Sequence, residues 1–117
     1  MPAAQSLLAE IIAGVHECIQ PPHWLAEIIG VMARRHPDLV GATLAAIHRL
    51  GIEIATEDAI YQRAAELAAG LKQHVFDTLY HAVALERGAS FVTADERYFA
   101  AAAKEGAIQR LGEFKTF

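Results

Sequence analysis

Phe76-Asp-Thr-Leu-Tyr-His-Ala-Val-Ala-Leu-Glu86, followed after Gly88 by Ser90-Phe-Val-Thr-Ala-Asp-Glu-Arg97, decides how this chain is read. The first stretch is strongly apolar beyond its opening turn and predicts a helix from about Phe76 to Arg87, stopped by Gly88. Ser90 to Thr93 is short, apolar and bounded by small residues, which predicts a buried strand. Asp95 is placed to open the next helix, which stops near Gly106, and Ile108 to Leu111 predicts a fourth short strand before a frayed end. A helix, a buried strand and a helix again is the unit from which parallel sheets are built.

The same alternation runs upstream. Leu7, Leu8, Ile11, Ile12 and Val15 recur at helical spacing, so a helix is expected from about Ala3 to Ala13, ending near Gly14, with a strand over Val15 to Ile19. Pro21-Pro22 breaks that strand, and Pro22 suits the first turn of a second helix reaching about Arg35. Pro37-Asp38 starts a third, with Leu39, Leu44, Ile47 and Leu50 as core positions, closed by Gly51. Ile52 to Ala55 reads as a strand. Thr56 is a candidate N-cap for a helix to about Ala69, with Ile60, Ala64, Leu67 and Leu71 on one face, and Lys72 to His74 forms a polar loop. The order predicts an α/β fold, a parallel sheet with helical crossovers on both faces. With no repeat, low-complexity segment or linker, residues 1–117 are expected to form one domain.

Composition bounds the function. The 117 residues are 54% hydrophobic with a mean hydropathy of +0.23, enough for one core, yet no apolar run approaches the roughly 20 residues of a membrane span. No signal peptide and no membrane association are expected. The single cysteine, Cys18, favours a reducing cytoplasm and is expected to be a small buried side chain in the first strand. Ten Lys and Arg stand against 14 Asp and Glu, a net charge of −4, which argues against binding nucleic acid by bulk electrostatics. It does not exclude a nuclease, because clustered carboxylates lower the net charge until cations neutralise them.

Three of those carboxylates stand out. Glu27 is the sole acid in the segment Pro22 to Ala33, which is apolar nearly all round and reads as a helix covered on both sides. A carboxylate there needs a metal, water or a partner; pairing with Arg34 or Arg35, or plain exposure, is the simpler alternative. Asp77 opens an apolar helix, where favourable interaction with the helix dipole would also explain it. Asp95 lies where a buried strand gives way to a helix, the end at which ligands collect in α/β sheets, though N-capping alone would account for it. Together they suggest a site for a hard divalent ion such as Mg²⁺, of the kind that supports phosphodiester cleavage.

The run Phe76-Asp-Thr-Leu-Tyr-His-Ala-Val-Ala with Phe91-Val-Thr-Ala-Asp-Glu-Arg97 resembles the C-terminal half of PIN domains, and most of all the VapC-type toxins of bacterial toxin-antitoxin pairs. Pro22-His-Trp-Leu-Ala-Glu27 is similar to the second acidic motif of that family. The resemblance implies a PIN-like three-layer α/β domain and Mg²⁺- or Mn²⁺-dependent endoribonuclease activity on structured or transfer RNA. It makes Glu27, Asp77 and Asp95 the catalytic and metal-binding positions, with Thr93 as a supporting hydroxyl; Arg97, just after Asp95, is a candidate for a supporting contact to the phosphate backbone. It further implies a homodimer or higher oligomer and a VapB-like antitoxin as partner.

The resemblance also implies a preceding hydrophobic strand, central in the sheet and ending in an aspartate. No Asp precedes Asp38 here, so that strand and its acid are expected to be missing from residues 1–117, through either a start upstream or a shortened relative. A gap in mid-sheet leaves backbone groups unpaired, from which an oligomer with exchanged elements is expected. A catalytically inactive PIN-like module acting through dimerisation or antitoxin binding is the alternative function, and an unrelated α/β binding protein a third.

Other residues carry weaker signals. His74 and His81 flank Asp77 at a spacing that matches no zinc pattern. Arg34-Arg35-His36 could touch a phosphate backbone, but cations suit a helix C-terminus without further purpose. Trp24 and Tyr80 are expected in the core or a dimer interface.

Overall fold

The computed structural model describes residues 3–114. Its order is α1 (Ala3–Ile12), β1 (Ile19–Gln20), α2 (Trp24–Arg35), a 3₁₀ turn at Pro37–Leu39, α3 (Val40–Arg49), β2 (Glu53–Ile54), α4 (Asp58–Leu71), α5 (Val75–Arg87), β3 (Phe91–Thr93), α6 (Glu96–Ala102), a second 3₁₀ turn, β4 (Ile108–Arg110) and a last 3₁₀ turn at Leu111–Glu113. All strand pairing is parallel, as the alternation predicts. Where a frayed end is expected after Leu111, the chain forms a 3₁₀ turn over Leu111–Glu113, and the rest of that expectation, residues 115–117, lies outside the described residues.

The core lies between α4 and α5. Ile60, Ala64 and Leu67, three of the four positions predicted for one face of α4, are buried against Leu79, Ala82 and Val83 of α5, while the fourth, Leu71, packs at the margin. Each large aliphatic side chain so buried contributes about 1.5–3 kcal/mol. Thr78 completes the contact: its hydroxyl donates to the Ala64 carbonyl at 2.7 Å, a polar tie across a dry interface. Gly88, at φ +64°, lets α5 end in a left-handed cap whose amide donates to the Ala84 carbonyl. Arg87, one residue earlier, reaches Glu53 and Glu57 and so ties α5 to the β2 end of the fold.

The sheet is not continuous. β1 pairs with β2, with Ile19 opposite Glu53, and β3 pairs with β4, with Phe91 opposite Ile108; β1 and β3 are not hydrogen-bonded to each other. Both pack on α5. Between the two ladders runs a cleft of about 920 Å³, bordered by Cys18 to Gln20 on one side and Ser90 to Val92 on the other.

Several expectations change. The first strand is shorter than Val15 to Ile19, because the Val15 amide is spent on the Glu10 carbonyl, closing α1 through Gly14. Cys18 is half-buried at the approach to β1, taking a hydrogen bond from Gln20 Nε2, not a buried strand residue. α2 is not covered on both sides: no residue in it is fully buried and Val31 is 44% exposed. Leu44, Ile47 and Leu50 are only half-buried and Leu39 is exposed; among the described residues α3 packs chiefly on α2 and the preceding 3₁₀ turn. The cap of α4 is Glu57, not Thr56; its carboxylate is drawn to Arg87 and makes no cap hydrogen bond. No helix among the described residues is long and apolar enough to cross a membrane.

Candidate acidic site at the end of β3

β3 ends at Thr93, which is buried, and its hydroxyl accepts the Asp95 amide at 3.0 Å. That bond turns the chain sharply from strand to helix. Asp95 then takes the N-cap position of α6, with Oδ1 accepting the Tyr98 amide at 3.0 Å and Oδ2 left free. Capping and site membership are therefore compatible: one oxygen fixes the carboxylate and the other makes no hydrogen bond among the described residues.

Asp77 arrives from the first turn of α5. It accepts no hydrogen bond and forms no ion pair among the described residues. Asp77 and Asp95 line a pocket of about 150 Å³ together with Thr93, Tyr80, Phe91 and Tyr98. Two acids without a basic neighbour in the wall make a negative depression.

The aromatic floor registers that field. Burial, together with the charges of Asp77 and Glu105, holds the Tyr98 phenol above the usual tyrosine range. The Tyr80 phenol is raised by burial first, then by its hydrogen bond to Glu27 and the charges of Glu27 and Asp77. Behind them His81, wholly buried, bridges the Gly106 carbonyl at 2.7 Å and the Tyr98 hydroxyl at 3.0 Å. A carbonyl only accepts, so Nε2 carries the proton and Nδ1 accepts from Tyr98. His81 is a structural strut.

A raised phenol favours the folded state below the unfolded value of about 10 and loses that contribution as pH climbs beyond it. Stability is expected to fall in the alkaline range, and more shallowly in Tyr98→Phe. Urea midpoints measured across that range check this; equal slopes in both proteins would refute it.

Glu27 stands apart. It lies in the first turn of α2, exposed, where Oε1 accepts from the Tyr80 hydroxyl and lies 3.2 Å from His23 Nε2. His23 Nε2 also donates to the Phe76 carbonyl at 2.8 Å. Glu27 pairs with neither Arg34 nor Arg35, and it does not line the Asp77 and Asp95 pocket, though Tyr80 touches both. Arg97 is exposed on α6 and makes no hydrogen bond or ion pair among the described residues. Sequence reasoning missed the roles of Tyr80, Tyr98 and His23; Tyr80 and Tyr98 do fall on the helices that carry Asp77 and follow Asp95, which was the available signal.

The oxygen-rich lining suits a hard cation: two carboxylates and the hydroxyls of Thr93, Tyr80 and Tyr98, with no sulfur or imidazole. Mg²⁺ is commonly held by one or two carboxylates, its other positions filled by water and substrate phosphate. No group of three or more His, Cys, Asp or Glu that could hold a metal occurs among the described residues.

No curated protein and no solved structure matches the chain. The model of the PIN domain family matches residues 3–105. Domains of this family are in general nucleases acting on nucleic acid, typically with divalent metal ions. The match spans α1 through the turn after α6, including Glu27, Asp77 and Asp95, and on it the chain belongs to the PIN domain family.

Proposed function

We propose that the protein is a divalent-metal-dependent endoribonuclease of the VapC toxin type, with Asp77 and Asp95 as its principal acidic residues. The observation that carries the reading is their convergence on one pocket at the C-terminal end of β3. Bound there, Mg²⁺ or Mn²⁺ would supply charge neutralisation at the scissile phosphate and lower the pKa of an attacking water. Asp77, unengaged by any protein donor, is the residue with a free carboxylate to offer; Asp95 is pre-oriented by its cap bond. Thr93 fixes Asp95, Arg97 is placed to meet a phosphate, and Glu27 is the third acid, brought near through Tyr80. RNA is the substrate, a VapB-like antitoxin the regulator, residues 1–117 one domain that assembles as a homodimer or higher oligomer, and the cytoplasm its compartment.

A second reading, a PIN-like module without catalysis, is favoured by the engagement of Glu27 with Tyr80 and His23 outside the pocket. The two separate cleanly. End-labelled structured RNA incubated with the protein and Mg²⁺ should be cut at internal positions, the cleavage should stop on adding EDTA, and excess Mn²⁺ should restore it. Intact RNA under all three conditions sinks the ribonuclease reading.

A further inference from the structure

We infer that Phe76 is a stacking platform for one unpaired base of the RNA, at the rim of the acidic pocket. The inference rests on the ribonuclease reading and adds to it a contact that selects single-stranded over paired RNA.

Exposure is the first observation. Phe76 is 59% exposed, although a ring of that size gains more than most side chains from burial. It stands in the first turn of α5 immediately before Asp77, and neighbouring Cα atoms are about 3.8 Å apart. A phosphate held at the Asp77 and Asp95 pocket therefore leaves its own base, or the next one along, beside the Phe76 ring.

The ring is held in place before any ligand arrives. His23 Nε2 donates to the Phe76 carbonyl at 2.8 Å, and the His23 ring lies against that of Phe76, with centroids 5.2 Å apart. The same imidazole meets Tyr80 edge-on at 4.9 Å, and Tyr80 stacks on Phe91 at 5.8 Å. Tyr80 and Phe91 line the acidic pocket. Phe76 is thus the outer end of a row of rings that begins in the pocket wall, and among the described residues His23 is the only ring packed on it. A ring already fixed loses little freedom on binding, and stacking of splayed-out bases on aromatic side chains is the recurrent way proteins hold single-stranded RNA.

Patch size and charge favour a nucleotide over a protein partner. Of the exposed large apolar residues only Val75 and Phe76 lie on α5, where a stable protein interface takes about 20–30 residues a side. The loop leading into α5 carries Lys72, exposed and without an ion pair among the described residues, a cation placed for a flanking phosphate. A duplex cannot use the platform, because its bases are already stacked on one another.

The test is an equilibrium binding comparison with the full chain. The probes are a short unstructured RNA and an abasic sugar-phosphate strand of the same length, both in Ca²⁺, which takes oxygen ligands as Mg²⁺ does. The parent protein should prefer the RNA to the abasic strand by at least about fivefold. Phe76→Leu should lose that preference by weakening on the RNA alone, and Phe76→Trp should restore it. Annealing a complementary strand should abolish the difference between the parent and Phe76→Leu. Because the side chain is exposed, urea midpoints of the three proteins should agree.

An equal loss on both strands in Phe76→Leu, or no loss on either, would overturn the stacking assignment. Parent-like RNA affinity in that variant together with sedimentation as a smaller species would overturn it in favour of a contact with a second copy. The two readings fail separately. RNA cut by the parent with no dependence of binding on Phe76 overturns this inference alone, and RNA bound through Phe76 but left intact in Mg²⁺ or Mn²⁺ overturns the ribonuclease reading alone. RNA neither bound nor cut overturns both.

Discussion

Asp77→Asn is expected to reduce metal-dependent RNA cleavage by at least about 10²-fold while leaving the protein folded. The magnitude follows from removing a preorganised charge at the reacting centre, where one lost electrostatic contact commonly costs about 10²–10³ in rate. The structural side is small. Asp77 accepts no hydrogen bond and forms no ion pair among the described residues, so asparagine leaves no orphaned donor behind. Only the favourable charge at the start of α5 is lost, about 0.3–1 kcal/mol. Initial rates on labelled RNA, with Mn²⁺ affinity measured alongside, decide it. Parent-like cleavage by the variant would remove Asp77 from the site; a change in rate with unchanged Mn²⁺ affinity would place it on the substrate and not on the ion.

The largest stability effect is expected at Ile60. Its side chain is wholly buried between α4 and α5, and truncation to alanine removes three carbons from a packed interface that has few other large residues to collapse inward. The cost should be about 2–5 kcal/mol. Domains of this size are stable by only about 5–15 kcal/mol in total, so Ile60→Ala stands near the limit of what the fold tolerates. The urea midpoint should fall sharply with little change in slope. A drop under about 1 kcal/mol would mean that the α4 and α5 contact is looser than the burial of Ile60 implies.

What could be read from the sequence divides along physical lines. α4, α5, β3 and the start of α6 were legible because each announces itself locally: an apolar face at helical spacing, a stop at Gly88, a β-branched run, an aspartate at a cap. β1 and β2 were read too long, since a strand extends only as far as it has something to pair with, and each has one neighbour over two residues. The all-round apolar character of α2 suggested cover that the described residues do not provide. For the site, Asp77 and Asp95 are adjacent in space because adjacent elements carry them. Tyr80 meeting Glu27, and His81 meeting Tyr98 and Gly106, join residues far apart in sequence, and nothing local encodes such meetings.

The helical pair α4 and α5 also sets the order in which the chain can assemble. Only Lys72 to His74 separate them, so closing that hairpin costs little chain entropy and immediately buries most of the core. Each ladder instead joins strands held apart by long helical crossovers, and gains little until a surface exists to receive it. Folding is thus expected to nucleate on this one hairpin, with the β1–β2 and β3–β4 ladders condensing onto α5 afterwards. The halves are coupled through α5 and also directly, by α1 packing on the last 3₁₀ turn and by the edge-on contact of the His16 and Phe114 rings at 5.2 Å.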